Sequence, residues 1–376
     1  MIYLDHHAAS PPDEAVRAAM EAAREVAWAN PASAHAAGRA ARSVLEAARE
    51  KIAAAVGAKP ADLVLTAGGT EACNLAVRGV PGRGPVLLTR VEHPATREPA
   101  VLRGERDGGV GWLELPAGRP PDAAAFEAAL AAAAGPRGDV ALAVVQLVSH
   151  ETGTVLPVAE YGEVCRRRGV PLVVDATQAL GKIPLDVGAL GATAVAFASS
   201  KIGGPPAAGA LWIARDTALT PQLIGGAQER GRRAGSPDPV AMAGFGEAAA
   251  RVETRLAAMP SVAARRDTLE AALLARGAVV NGEGPRVATV SNVSVPGWKG
   301  TRLVAALDLE GLCASHGAAC SSGVDAPSEV IAAMYPDAPW RAESALRLSL
   351  GPTTSDADIE TAIRIVSAVI PRKARA

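Results

Sequence analysis

An aspartate and a lysine, each closing an apolar run, carry the most legible chemistry of this chain. Pro171-Leu172-Val173-Val174 leads into Asp175-Ala176-Thr177-Gln178, and Ala194-Val195-Ala196-Phe197 leads into Ala198-Ser199-Ser200-Lys201. Delivered by neighbouring parallel strands, a carboxylate and an amine can grip opposite ends of one flat ring. The carboxylate keeps a pyridine nitrogen protonated while the amine condenses with an aldehyde, which is how a protein tunes pyridoxal phosphate as an electron sink. Lysine is scarce here, six against thirty-two arginines, so its position at a strand end stands out.

Three further segments could serve the same chemistry. Thr66-Ala67-Gly68-Gly69-Thr70-Glu71-Ala72 follows a strand and opens a helix. Its glycines allow close approach of the backbone to an anion, and the helix end supplies N–H groups. The segment fits neither a Walker A motif nor a GxGxxG fingerprint, which counts against nucleotide binding. Arg90-Val91-Glu92-His93-Pro94 sets His93 on a strand-to-helix loop, at the sheet edge where open α/β folds bind ligands. Cys320 sits among small residues in Ser315-His316-Gly317-Ala318-Ala319-Cys320-Ser321-Ser322-Gly323, where a core thiol is not expected and a sulfur nucleophile is. Cys73, Cys165 and Cys313 read instead as small buried hydrophobes.

The elements that must position these residues alternate. Helical patterns over 13–28, 36–56, 70–78, 94–103, 122–134 and 157–168 are interleaved with apolar runs at 62–65, 86–88, 110–115, 140–148, 171–175, 194–197 and 208–213. Apolar runs without in-out alternation predict an α/β fold with a mainly parallel seven-stranded sheet covered on both faces. Residues 239–276 read as one long helical stretch interrupted at Pro260. Shorter strands and helices beyond it predict a smaller α+β domain. The expected division is 13–250 for the large domain and 1–12 plus 251–376 for the small one.

Composition narrows the class. Net charge is -1 over 376 residues and no block of like charge occurs, which argues against a nucleic-acid surface. No apolar run reaches membrane-spanning length, and Met1-Ile2-Tyr3-Leu4-Asp5-His6-His7 does not read as a secretory signal. Four dispersed cysteines without CxxC spacing fit a reduced, cytoplasmic protein without a zinc site.

With these residues in view, the chain resembles the cysteine desulfurases of NifS/IscS type, pyridoxal-phosphate enzymes of the class V aminotransferase, fold type I group. The likeness runs through Tyr3-Leu4-Asp5, Asn30-Pro31-Ala32-Ser33, Gly69-Thr70-Glu71, Glu92-His93, Glu151-Thr152-Gly153 and Asp175-Ala176-Thr177-Gln178. It continues through Lys201, Glu229-Arg230-Gly231, Cys320-Ser321-Ser322 and Arg347-Leu348-Ser349-Leu350-Gly351. The resemblance implies that Lys201 binds the cofactor covalently, Asp175 pairs with its ring nitrogen, Gln178 bonds its phenolic oxygen and His93 stacks on its ring. Gly69, Thr70, Ser199 and Ser200 would cradle the phosphate, with Ser236 reaching it from the second subunit of a homodimer. Asn30, His150 and Arg347 would bind L-cysteine, and Cys320 would take its sulfur as a persulfide for a sulfur-acceptor protein, such as an iron–sulfur scaffold.

The chain departs from the family pattern at two points. Ser149-His150 stands where two asparagines are usual, and Ala198-Ser199-Ser200 where Ser-Gly-His is usual. These departures keep open another lyase or transaminase of the same fold, one acting on selenocysteine among them, and a cofactor-poor scaffold for sulfur-transfer partners. A metal enzyme built on His6-His7 is the weakest alternative, because the pair lacks ligand spacing.

Overall fold

The computed structural model describes residues 1–136, 138–317 and 326–371. Its strands are β1 (Ile2–Tyr3), β2 (Leu63–Thr66), β3 (Val86–Thr89), β4 (Val110–Leu113), β5 (Leu142–Gln146) and β6 (Leu172–Asp175), then β7 (Ala194–Ala198), β8 (Gly209–Ile213), β9 (Val279–Val280), β10 (Val290–Ser294), β11 (Leu312–Cys313) and β12 (Ala345–Ser349).

Among the described residues, seven strands form one sheet in the order β2-β8-β7-β6-β5-β3-β4. β3, β4, β5, β6 and β7 run parallel, as the apolar runs predict. β8 runs antiparallel to both β7 and β2. Only residues 199–208 separate β7 from β8, too few for a crossover helix, so the chain turns back beside the strand it has just left. β2 through β8 are buried along almost their whole length, apart from the edge strand β4.

Helices cover this sheet where the sequence pattern predicts them, and several are started by a side-chain cap. Asp13 and Asp122 accept from the backbone N–H groups of Val16 and Ala125, three residues on. The stretch 239–276 is the exception to the expected boundaries. It forms two helices, Pro239–Ala250 and Val252–Leu274, that break at Arg251, and Pro260 lies inside the second. Arg251 leaves helical geometry at φ -99° and ψ 9°, while its guanidinium reaches 2.9 Å to Asp13, the cap of the helix Glu14–Val26. A tertiary ion pair, not the proline, marks the joint.

A separate buried cluster gathers Leu4, Met259, Val262, Leu269, Val293, Leu303, Leu346, Leu348, Ile359 and Val366 around the antiparallel sheet β12-β10-β9. β1 pairs in parallel with β11, which draws the first residues of the chain onto this second unit. No helix among the described residues is long and apolar enough to cross a membrane.

Candidate active site

The carboxyl ends of β2, β3, β5, β6 and β7 meet along one edge of the sheet. Gly69 and Thr70 follow β2, His93 follows β3, His150 follows β5, Asp175 ends β6 and Lys201 follows β7. All border a cleft of about 170 Å³, together with Gln178, Ser200 and Arg347. Gly68 turns the chain at φ +138°, a conformation L side chains rarely adopt. A Cβ on Gly69 would stand 2.9 Å from the Ala198 Cβ, so glycine is what lets this helix start against the β7 terminus.

Asp175 is fixed from several sides. Its Oδ1 accepts the backbone N–H of Thr177 at 2.9 Å, and its Oδ2 accepts the Thr96 hydroxyl at 3.2 Å. The Cys73 thiol also borders the cleft, and burial first, then the Asp175 charge, pushes its pKa well up.

Lys201 sits in the short turn Ser199–Ile202. Its Nζ donates to the carbonyl oxygens of His7 at 3.1 Å and Ala8 at 2.7 Å. The His7 carbonyl also accepts the Gln178 Nε2–H at 2.9 Å. Gln178 Oε1 in turn accepts from Lys182, a fully enclosed lysine whose pKa burial, then Lys201, drives well down. Both ends of the Gln178 amide are thus engaged within the protein. The amino-terminal strap between β1 and the first helix therefore forms one wall of the site, a role the sequence reading assigned to no residue before Asn30.

Two imidazoles stand edge to face, His93 and His150, with ring centroids 5.0 Å apart. His93 caps the helix Pro94–Asp107: its Nδ1 accepts the Ala95 N–H at 3.1 Å, which leaves the neutral ring's proton on Nε2. Burial foremost lowers its pKa, Lys201 and Arg347 push the same way, and Asp175 opposes them. His150 is buried, its pKa drawn well below the ordinary value by burial and then by His93 and Arg347. Gln146 donates through Nε2 to the Val91 carbonyl at 2.6 Å, so its Oε1 faces His150 Nδ1 at 3.2 Å. Nδ1 carries the proton and Nε2 is a bare acceptor with no hydrogen-bond partner.

Arg347, in the middle of β12, is 2% exposed. Its Nη2 donates to Asp5 Oδ1 at 2.9 Å and its Nη1 to the His150 carbonyl at 3.0 Å, while Nε has no partner. Beneath the site, burial pushes the Glu92 carboxyl up to about 8 despite donors from Thr89 and Gln146.

Three expected residues lie apart from the cleft. Ser199 is fully buried and its Oγ would stand 2.1 Å from a Cβ on Gly204, so it turns away while Ser200 borders the cleft. Asn30 is exposed and folds its Oδ1 back onto the Ala32 N–H at 2.9 Å. Ser236 lines another cavity, with Pro31 and Glu229, that shares no residue with the cleft. Cys320 lies outside the described residues. Sequence reading missed Asp5, His7, Ala8, Thr96 and Lys182. Asp5 and Ala8 stood in the motif that opens the chain and His7 only in the His6-His7 metal alternative, while the site contacts run through carbonyls or through a neighbour, for which residue type gives no signal. Among the described residues no cluster of three or more His, Cys, Asp and Glu could hold a metal ion.

The fold is that of the fold type I pyridoxal-phosphate-dependent transferases. A NifS-like protein from Rickettsia africae superposes with a TM-score of 0.88 at 26% identity, over 98% of this chain and 99% of its own. A protein solved as SspA in complex with cysteine matches at a TM-score of 0.80 and 26% identity, over 94% of this chain and all of its own. An IscS-like cysteine desulfurase of Mycobacterium tuberculosis is 38% identical over 100% of this chain and 98% of its own length. A cysteine desulfurase of Nostoc sp. is 33% identical over 99% and 93%. The chain belongs to the class V aminotransferase family, whose model matches residues 2–361.

Proposed function

We propose that this protein is a pyridoxal-phosphate-dependent cysteine desulfurase. It converts L-cysteine to L-alanine and leaves the sulfur on Cys320 as a persulfide. The observation that carries this reading is the convergence of Asp175, Lys201, His93 and Arg347 on one cleft.

The residues present fit the cofactor. The helix opening at Gly69 and the Thr70 and Ser200 side chains suit a phosphate, Asp175 suits a pyridinium nitrogen and Lys201 an aldehyde. The bare His150 Nε2 and unpartnered Arg347 Nε are buried polar atoms that a ligand can satisfy. When bound there, the cofactor supplies an electron sink for the substrate carbon next to the carboxylate.

The chain's own residues do the rest. Asp175, held by Thr96 and the Thr177 N–H, is oriented to keep a proton on a ring nitrogen. Lys201 must exchange its two carbonyl acceptors for the reacting partner. His93 holds a proton at Nε2, and Arg347 draws a carboxylate toward Nε. The Cys320 thiol gains a sulfur and the substrate carbon gains a hydrogen, so persulfide and alanine balance cysteine and thiol. Gln178 supports the site through Lys182 and His7.

The two-domain division at 13–250 against 1–12 plus 251–376 belongs to this proposal, with Cys320 in the small domain. So does a homodimer, in which Ser236 serves the partner's site. A sulfur-acceptor protein, such as an iron–sulfur scaffold, takes the persulfide sulfur, and a reducing cytoplasm suits a free catalytic thiol. The test is titration of the purified protein with pyridoxal phosphate, then assay of alanine from L-cysteine and mass analysis of Cys320. Lys201→Ala abolishes the visible absorbance and Cys320→Ser abolishes persulfide; an unchanged Lys201→Ala spectrum rules the lysine out.

A further inference from the structure

The amino-terminal strap reaches the site through one side chain that the mechanism leaves without a task. The His7 ring is 1% exposed. Its Nδ1 lies 3.4 Å from the His150 carbonyl, which can only accept, so that nitrogen carries the proton. Its Nε2 is then the acceptor for the Thr289 hydroxyl at 2.9 Å. Full enclosure keeps this ring neutral, with Lys182 and Arg347 acting in the same direction.

The two carbonyls involved are crossroads. The His7 carbonyl receives Lys201 Nζ and Gln178 Nε2. The His150 carbonyl receives Arg347 Nη1 as well as the His7 ring. One imidazole therefore ties the lysine end of the cleft to the arginine end.

We infer that His7 is a positioning residue: clamped between Thr289 and the His150 carbonyl, it sets where the strap carbonyls meet the Lys201 nitrogen. This rests on the functional reading above. A fixed carbonyl acceptor favours the protonated form of the nitrogen it faces, so loosening the strap lowers the proton affinity of that nitrogen. Loss of one buried hydrogen bond changes such an equilibrium by about tenfold, which is about one pH unit.

The experiment is the pH dependence of pyridoxal phosphate uptake by the unloaded protein, in which the Lys201 amine still faces the strap carbonyls, followed by visible absorbance. His7→Ala lowers the pH midpoint of uptake by about one unit. Thr289→Val, which removes only the hydroxyl donor, moves that midpoint the same way by less. His7→Asn keeps a donor for the His150 carbonyl and falls between wild type and His7→Ala. If His7→Ala does not fold, Thr289→Val decides the matter. Wild-type midpoints in folded variants, or a loss of thermal stability without movement of the midpoint, overturn the inference. A wild-type protein that takes up cofactor separates this failure from that of the functional reading; one that takes up none defeats both.

Discussion

Asp5 and Arg347, 342 positions apart, form a 2.9 Å ion pair that joins the opening strap to the centre of β12. Ser315 holds the other Asp5 oxygen at 2.9 Å, so the carboxylate is itself anchored. A charged hydrogen bond of this kind orients the guanidinium more than it binds anything. Asp5→Asn should therefore raise KM for L-cysteine about tenfold with a smaller change in kcat. Steady-state assay of alanine release decides this, and a pure kcat loss would contradict it.

His93 both caps a helix and faces the cleft. With Nδ1 tied to the Ala95 N–H, further protonation must occur at that nitrogen and break the cap. Its pKa lies below the ordinary value of 6.5, so the neutral form prevails at pH 7 and is lost only as pH falls through the lowered value. The acid limb of kcat/KM should accordingly lie below pH 6.5. In His93→Asn, where asparagine still caps, that limb should vanish and kcat fall by about a hundredfold or more.

The Thr96 hydroxyl is one of the groups orienting Asp175. Thr96→Val keeps the shape and removes the donor. Cofactor affinity should fall severalfold, with the fold intact by circular dichroism, as expected for loss of one hydrogen bond to a charged acceptor.

At Gly69 the limit is space. Alanine there would bring a Cβ within 2.9 Å of Ala198 and 3.1 Å of Thr177, both ordered residues beside the cleft. Gly69→Ala should cost about 1–3 kcal/mol of stability and weaken cofactor binding together. Thermal unfolding and cofactor titration on one preparation measure both.

Glu92 gives the stability of the protein a definite pH dependence. Its carboxyl, pushed up to about 8, holds a proton in the folded chain between pH 4.5 and about 8 that the unfolded chain releases. Its favourable contribution is complete below pH 4.5 and is lost as pH rises toward 8. Glu92→Gln keeps a neutral group in place, so denaturant unfolding should show the variant gaining about 1–3 kcal/mol on wild type between pH 5 and pH 8.

What the sequence made legible is the part encoded in local pattern. Asp175 and Lys201 could be found because each interrupts an apolar run at a strand end, and His93 because it precedes a proline at a helix start. The break at Arg251 was hidden because arginine is no helix breaker, whereas Pro260 looks like one and is absorbed into the helix. The reversal of β8 follows from the length of a loop, which hydrophobicity does not report. The strap was illegible for a deeper reason: its carbonyls are the same in every residue type, and its partners lie up to 342 positions away.

The amine of Lys201 rests on main-chain oxygens at positions 7 and 8, and these atoms survive any replacement of the side chains they belong to. Substitution there can retune the contact but cannot erase it. Adding or deleting one residue between Tyr3 and Pro11 is another matter, because it would slide different oxygens under the nitrogen. For this stretch of chain, spacing is the guarded quantity and spelling the negotiable one.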